Sequence, residues 1–205
     1  MATKSNAVKV FVYTGREGAV VPQDVVRVRI DPSVLAIPIE AFMSKYKLQE
    51  VEFHEGLREI GRGAFDSCSA LNDIHLSDGV ERIGCHAFSC CNFAKFRCPP
   101  LVTTIHADMF NGCNNIFSLE FTESIIQIED QAFGWCFSLR NVALSVNTLV
   151  DVHDMYHAFV YCTDLLQIFD TVEAIVNALK IRFAELPVHS KMYFISYYNT
   201  VTSDF

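Results

Sequence analysis

The sequence predicts a repeat solenoid, a fold in which similar units stack in one direction. The pattern Phe-x-x-Cys occurs five times, and its phenylalanines lie 23, 22, 23 and 26 residues apart. A second series of apolar pairs runs between them in the same phase. The chain has 205 residues, of which 51% are hydrophobic and 20% charged, so it can fold around a sizeable core. Because one such unit cannot bury its apolar face alone, the units are expected to stack.

The phenylalanines and cysteines set the phase of the repeat. Phe42 lies 23 residues before Phe65 and extends the series backwards, with Lys45 in the cysteine position, which makes six units. In the shortest unit Cys90 and Cys91 both remain candidates for the repeat cysteine. The five complete pairs are Phe65/Cys68, Phe88/Cys91, Phe110/Cys113, Phe133/Cys136 and Phe159/Cys162. The phenylalanines are expected to form one internal stack.

Each unit of about 23 residues is expected to combine a short strand with turns. The segment 73–77 alternates polar and apolar residues, which is typical of a strand with one buried face. Asp78-Gly79 then predicts a turn. Val80 and Ile83 point inward, and the stretch to Cys91 is expected to be a short helix or a tight turn. Stacking such units places their strands parallel to one another.

The two ends of the chain differ from the repeats. Residues 8–13 predict a strand, followed by a turn, that covers the first unit as a strand or hairpin cap. Near the other end, Asp170 to Glu173 resembles a capping box, and apolar residues follow at helical spacing. We therefore divide the chain into an N-terminal cap at 1–23, a six-unit solenoid at 24–169, and a C-terminal helical cap and tail at 170–205.

Charge and hydropathy exclude several function classes. With 16 basic and 24 acidic residues the formal net charge is −8, which disfavours nucleic acid as a partner. The sequence contains no run of the roughly 18 to 20 apolar residues that a membrane span needs. The first residues lack the apolar stretch of a secretory signal, so we expect a cytoplasmic, intracellular protein with its cysteines as thiols.

Two segments of the repeat region carry a resemblance to a known family. Residues 60–76 have the sequence Ile-Gly-Arg-Gly-Ala-Phe-Asp-Ser-Cys-Ser-Ala-Leu-Asn-Asp-Ile-His-Leu, and residues 128–144 follow the same pattern. This pattern resembles the BspA-like leucine-rich repeats. The resemblance implies a leucine-rich repeat solenoid that acts as a recognition module without chemistry of its own.

The C-terminal tail carries a second, shorter resemblance. Residues 186–198 are similar to a Leu-Pro-Ile-His-Lys and Tyr-Tyr segment of algal members of the family, from which the chain departs at Val188 and Ser190. In those members a helical, ankyrin-like region follows. The resemblance therefore implies that the chain is the N-terminal part of a larger protein.

We predict no catalytic residues and no cofactor. The seven histidines do not recur beside a cysteine or serine as a nucleophile and base would. Gly61-Arg62-Gly63 lacks the third glycine and the setting of a phosphate-binding loop. An enzyme is therefore the least favoured class of function.

We also predict no metal site, although one group of residues contains the cysteine and histidine side chains that zinc binds. The sequence has no Cys-x-x-Cys pair, and two of the candidates fall at core positions of the repeat. The group consists of Cys85, His86, Cys90, Cys91 and Cys98.

The outward side of the strands is the predicted functional surface, because repeat proteins present equivalent positions of successive units as one extended face. Opposite charges are expected to meet on neighbouring strands, as in Arg29 beside Glu52 and Arg97 beside Glu120. The candidate protein-binding residues are Arg27, Arg29, Glu50, Glu52, Asp73, His75, Lys95, Arg97, Glu120 and Phe169. The alternative is a solvated face whose charges prevent aggregation between sheets.

The predicted function is a non-catalytic protein–protein interaction module with a protein partner. A cell-surface adhesin or structural repeat protein is the alternative. Neither the identity of the partner nor an oligomeric state follows from the sequence.

Overall fold

The computed structural model describes residues 9–16, 18–144, 157–164 and 167–169. This part of the chain forms a solenoid of short strands, and each strand pairs in parallel with its neighbours. The strands are β1 (Val10–Tyr13), β2 (Arg27–Ile30), β3 (Ala36–Ile37), β4 (Glu50–Glu52), β5 (Glu59–Ile60), β6 (Arg82–Ile83), β7 (Lys95–Arg97), β8 (Thr104–Ile105), β9 (Ser118–Glu120), β10 (Gln127–Ile128), β11 (Asn141–Leu144) and β12 (Gln167–Phe169).

The first strand ladder consists of two sheets with the orders β1-β2-β4 and β7-β9-β11-β12. Its strands alternate as predicted: Val28, Phe96 and Leu119 are buried while the residues beside them face outward. β1 pairs with β2 in parallel, so the N-terminal cap is an added strand and not a hairpin.

A second strand ladder, which we did not predict, runs along another side of the solenoid. It has the orders β3-β5-β6 and β8-β10, and each of its strands is only two residues long. Ile37, Ile60 and Ile83 are buried in it at equivalent positions. Two residues are too few to show an alternating pattern, which is why only the inward isoleucine was visible in the sequence.

The predicted strand at 73–77 is not formed. Ile74 is buried and Asp73 and His75 are exposed, as expected, but the segment has no strand pairing, and the first ladder is interrupted between β4 and β7. The second ladder is interrupted between β6 and β8. Each interruption includes a place where the spacing between equivalent residues falls to 22. In the first ladder this spacing separates Ile74 from Phe96, and in the second it separates Ile83 from Ile105. Losing one residue disturbs the register on which strand pairing depends.

Continuity across the interruptions comes from the turn segments, by which we mean residues 40–44, 63–67, 86–90, 108–112, 131–135 and 157–161. In the first of them the N–H groups of Glu40, Phe42 and Ser44 donate to carbonyl oxygens of the next unit at 2.9, 2.8 and 2.8 Å. The same pattern repeats through the later units. Tight turns, rather than the alternative short helix, therefore fill most of this stretch, and they link all six units by backbone hydrogen bonds.

The first five turn segments have a left-handed backbone at their first and fifth positions, and the sixth has one at its fifth position. Gly63 and Gly112 occupy two of these positions with φ of 60° and 72°. Most of the others hold residues with side chains, which adopt such angles only at a cost. These residues are Glu40, Ser44, Ser67, His86, Cys90, Asp108, Gln131, Trp135 and Tyr161. The hydrogen bonds between units hold them in this conformation.

The predicted phenylalanine stack is confirmed. The ring centroids of successive members, from Phe42 to Phe159, lie 5.0, 5.7, 5.9, 5.3 and 5.0 Å apart, with nearly parallel planes. Tyr13 of β1 lies edge-on to Phe42 with a centroid distance of 4.9 Å. The N-terminal strand therefore covers the first ring of the stack.

A ladder of thiols runs beside the phenylalanines. Each repeat cysteine donates a hydrogen bond from its Sγ atom to the carbonyl oxygen of the phenylalanine one unit earlier, at 3.0 to 3.2 Å. Cys91 makes this bond to Phe65 and is buried, whereas Cys90 is exposed. Cys91 is therefore the repeat cysteine of the short unit. Burial also raises the pKa of the Cys68 thiol to about 12.

Gly84→Ala is expected to destabilise the protein by about 1 to 3 kcal/mol. A Cβ atom at Gly84 would lie 2.7 Å from the backbone nitrogen of Arg62, so two adjacent units would have to move apart. Urea denaturation measures the loss. Ser69→Ala, at an exposed position outside the core, is the control and should change the free energy of unfolding by less than about 0.5 kcal/mol. If Gly84→Ala lowered the free energy of unfolding no more than Ser69→Ala does, the result would contradict the close packing of the two units.

The predicted C-terminal helical cap and tail, 170–205, lie outside the described residues. The boundaries at 1–23, 24–169 and 170–205 therefore stay predictions. Within the described ranges, no helix has the length and apolar content that crossing a bilayer requires.

Candidate functional site

Strand pairing places the predicted face residues in two columns. In the column nearer the start of each strand, Arg27 lies opposite Glu50 and Lys95 opposite Ser118. In the second column Arg29 lies opposite Glu52. Their side chains point away from the core because each lies one residue from a buried aliphatic or aromatic residue. We call this surface the outward strand face.

Two ion pairs join β2 to β4 on this face. The Arg27 Nε atom lies 2.9 Å from Glu50 Oε2, and Arg29 Nε donates a hydrogen bond to Glu52 Oε2. The second contact raises the pKa of Arg29 and lowers the pKa of Glu52, chiefly through the hydrogen bond itself. Both pairs are open to solvent, so they order the side chains while adding little to stability.

The prediction that Arg97 pairs with Glu120 is correct for the strand register and wrong for the ion pair. Strand register does place the two residues opposite each other, but Arg97 Nη1 lies 2.7 Å from Asp78 Oδ1 instead. The hydrogen bond to Asp78 is the main reason why the pKa of Arg97 is raised. Asp78 is on the turn that follows the unpaired segment 73–77, and this turn brings its carboxylate to the edge of β7.

The middle of the face carries shorter-range contacts. His75 Nδ1 lies 3.3 Å from Asp73 Oδ1 within the same unit, and both side chains are exposed on either side of buried Ile74. On the next strand the Lys95 ammonium lies 5.5 Å from the centre of the Phe117 ring, a cation–π contact. Asp73 and His75 thus lie on an unpaired segment, while the other charged candidates lie on paired strands.

Phe169 was expected to follow Ala143 in the second column. A bulge in β11 shifts the register, so that Phe169 lies opposite Leu144. A bulge gives one strand an extra residue, and the sequence pattern cannot show where it falls. The column thus ends one position away from the one we predicted.

The outward strand face has no net charge. Its ten candidates include four basic and four acidic side chains, with His75 and Phe169 as the others. A partner would therefore meet an ordered alternation of charges and not a uniform field. Such a pattern favours recognition by matching individual charges.

An exposed aromatic cluster was missed by the sequence analysis. The rings of Trp135 and Tyr161 lie 4.1 Å apart at equivalent positions of consecutive turn segments, and Phe137 lies 5.9 Å from Trp135. Their exposed fractions range from 40% to 56%. The signal available in the sequence was that both Trp135 and Tyr161 stand two residues after a stacked phenylalanine.

The residues weighed for zinc do not assemble as one group. Cys91 and Cys98 are buried in the core, Cys90 is exposed on a turn segment, and the ring of His86 lies beside Asp108, 3.5 Å away. Cys85 lies in a different group of metal-binding side chains, whose other two members come from the two following units.

That second group consists of Cys85, His106 and Glu129. One donor atom from each of the three lies within 4.8 Å of the others, and all three side chains are half-buried. They are 21 and 23 residues apart, so the sequence did not suggest a cluster. The signal was that each follows a buried isoleucine of the second ladder within two residues.

Solved structures of bacterial repeat proteins share this fold. A leucine rich cell surface protein from Faecalibacterium prausnitzii is 25% identical with a TM-score of 0.62, and the match covers 71% of this chain and 40% of that protein. A leucine-rich repeat protein from Bacteroides ovatus is 27% identical with a TM-score of 0.63, covering 70% of this chain and 37% of that protein. The T. pallidum leucine rich repeat protein is 28% identical with a TM-score of 0.52, covering 56% of this chain and 54% of that protein.

These solved proteins are longer than the chain, which corresponds to about two fifths of the first two. No curated protein matches the chain significantly. Residues 35–168, however, match the BspA type leucine rich repeat region in six copies, the number of units predicted from the phenylalanine spacing. Such repeats generally serve as scaffolds for protein interaction or as surface repeat proteins. The match spans more than half of the residues, and the chain belongs to the BspA type leucine-rich repeat family.

Proposed function

We propose that the chain is a non-catalytic protein-interaction module whose partner binds the outward strand face. The observation that carries this proposal is the two exposed ion pairs, Arg27–Glu50 and Arg29–Glu52, that join the neighbouring strands β2 and β4 on this face. Pairing holds the long side chains in defined positions before a partner arrives, which lowers the entropy lost on binding. The face therefore offers a fixed pattern that a complementary protein can match.

We also propose an intracellular setting. Five thiols donate hydrogen bonds to carbonyl oxygens of the core, where oxidation would remove the donors and strain the packing. A reducing compartment preserves these contacts. Support for the alternative, a surface repeat protein, comes from the Faecalibacterium prausnitzii structure, which is described as a cell surface protein. Biotinylation of intact cells that express the chain distinguishes the two, because only a surface protein becomes labelled.

Exchanging the paired charges on the first two strands tests the proposed face. In the variant Arg27→Glu, Arg29→Glu, Glu50→Arg and Glu52→Arg, both ion pairs can form again with reversed polarity. We expect capture of the partner from a lysate of the native cells to fall at least tenfold, because each charge now repels its former complement. The melting temperature should change little, since exposed ion pairs contribute about 0 to 1 kcal/mol.

The second strand ladder supplies a matched control. Arg82 and Glu59 form the same kind of exposed pair, with Nη2 and Oε2 2.6 Å apart, on a different side of the solenoid. The exchange Arg82→Glu with Glu59→Arg should leave capture unchanged. Equal capture by the two exchanged variants and the native chain would show that the outward strand face is merely solvated. Loss only in the control would place binding on the second ladder.

A further inference from the structure

We propose that Cys85, His106 and Glu129 form a Zn²⁺ site on the corner that follows the second strand ladder. The three side chains come from three successive units and supply a thiol, an imidazole and a carboxylate, all of which are zinc ligands. Calcium and magnesium prefer oxygen donors throughout, so this mixed set favours zinc over either ion.

In two of the earlier units the corner has no room for a side chain directly after the ladder isoleucine. The residue there is Gly61 or Gly84, and a Cβ atom at either would lie 2.7 Å from backbone of the preceding unit. His106 and Glu129 hold the equivalent positions in the next two units. The interruption of the second ladder between β6 and β8 falls between Gly84 and His106. The corner position therefore changes from glycine to the ligand residues His106 and Glu129 across the interruption between β6 and β8.

The distances fit a tetrahedral ion after small side-chain rotations. His106 Nδ1 lies 3.2 Å from Glu129 Oε2, and two ligands each about 2.0 to 2.1 Å from zinc are about 3.3 Å apart in a tetrahedron. The donor atoms of the group all lie within 4.8 Å of one another. A sulfur and a nitrogen bound to the same zinc ion are about 3.5 Å apart, so the donor atoms need to move only slightly closer. Since all three side chains are half-buried, they can rotate by this amount without repacking the core.

Glu129 is already held in place by the backbone. Its Oε2 atom accepts a hydrogen bond from the N–H of Ala107 at 3.0 Å, the kind of outer contact that orients ligands in metal sites. His86, by contrast, is directed toward Asp108 and is not one of the proposed ligands. Three protein ligands leave a fourth position for water, as in zinc sites that stay accessible.

Binding converts the Cys85 thiol to a thiolate. The S–H bond breaks, its proton passes to solvent, and the sulfur lone pair forms the bond to zinc, with no change of oxidation state. Zinc should therefore shield Cys85 from alkylating reagents. Cys90, an exposed cysteine outside the group, should stay reactive.

Titration of the reduced, tag-free 205-residue chain with Zn²⁺ and with Co²⁺ tests the site. We expect one strongly bound ion per chain and, with Co²⁺, a thiolate charge-transfer band. Cys85→Ser should remove the band and weaken Zn²⁺ binding roughly 100-fold or more, whereas Cys90→Ser should change neither. Glu129→Gln should weaken binding while keeping the band, which separates loss of a ligand from loss of the fold.

Mass spectrometry after alkylation gives the second measurement. Zn²⁺ should slow the labelling of Cys85 at least tenfold and leave the labelling of Cys90 unchanged. Equal Zn²⁺ affinity of Cys85→Ser and Cys90→Ser, a Co²⁺ spectrum without a thiolate band, or equal labelling of Cys85 with and without Zn²⁺ would each overturn the proposal. Circular dichroism of each variant checks that the solenoid is intact.

Discussion

Phe110→Ala is expected to destabilise the solenoid by about 3 to 5 kcal/mol. The Phe110 ring is fully buried, stacks between Phe88 and Phe133 with centroid distances of 5.9 and 5.3 Å, and meets the edge of Phe96 at 4.7 Å. Removing it leaves a cavity in the middle of the stack, where each unit depends on both neighbours. Urea denaturation followed by circular dichroism measures the loss.

Two further alanine variants serve as comparisons for the loss of unfolding free energy at Phe110. Phe42 contacts the rings of Tyr13 and Phe65 near the N-terminal end, so Phe42→Ala should cost less than Phe110→Ala. Phe137 is 40% exposed, and Phe137→Ala should cost least of the three. Equal losses for Phe42 and Phe110 would contradict the view that central interfaces carry most of the stability.

Alkaline pH is expected to destabilise the protein through its buried thiols. Burial raises the pKa of Cys68 and of Cys98 from the ordinary 9.0 to about 12, and the pKa of Cys113 is raised further by the same cause. Between about pH 9 and 12 the folded chain keeps protons that the unfolded chain has released. The stability that these neutral thiols provide is therefore complete below pH 9 and is lost as the pH rises. Since a tenfold difference in proton affinity corresponds to about 1.4 kcal/mol, several thiols together remove several kcal/mol.

The slope of unfolding free energy against pH checks this expectation. Cys113→Ala removes one buried proton site, so its slope above pH 9 should be shallower than that of the native chain, even though the variant is less stable at pH 7. Cys90→Ala removes an exposed thiol and should keep the native slope. If both variants kept the native slope, the alkaline loss would arise from other groups such as tyrosines and lysines.

The buried positions could be predicted because they repeat with a constant period. The phenylalanine stack, the alternation around Val28 and Leu119, and the parallel stacking all follow from side-chain chemistry at fixed intervals. The outward columns followed from the same alternation. The outward position of the residues on the paired strands could therefore be predicted from the sequence, whereas their role in binding stays a prediction.

The remaining features depend on register between units and not on residue type. The left-handed backbone at Glu40 and Trp135 uses residues that rarely adopt it, because hydrogen bonds from neighbouring units impose the conformation. The preference of Arg97 for Asp78 depends on the turn that follows a segment whose strand did not form. Likewise the approach of Cys85 to His106 becomes visible only after the short unit has been aligned with its neighbours.

The turn segments also give the solenoid an electrical direction. The peptide group between Arg62 and Gly63 accepts a hydrogen bond from the Glu40 N–H through its carbonyl oxygen, and its own N–H donates to the carbonyl oxygen of Cys85. This relay continues through the later units. In ordinary strands successive peptide groups point in opposite directions and their dipoles cancel. Here the three relays of each turn segment point the same way, as the three rows of hydrogen bonds in an α-helix do, so their dipoles add. The N-terminal end of this side carries the partial negative charge and favours cations, while the opposite end favours anions.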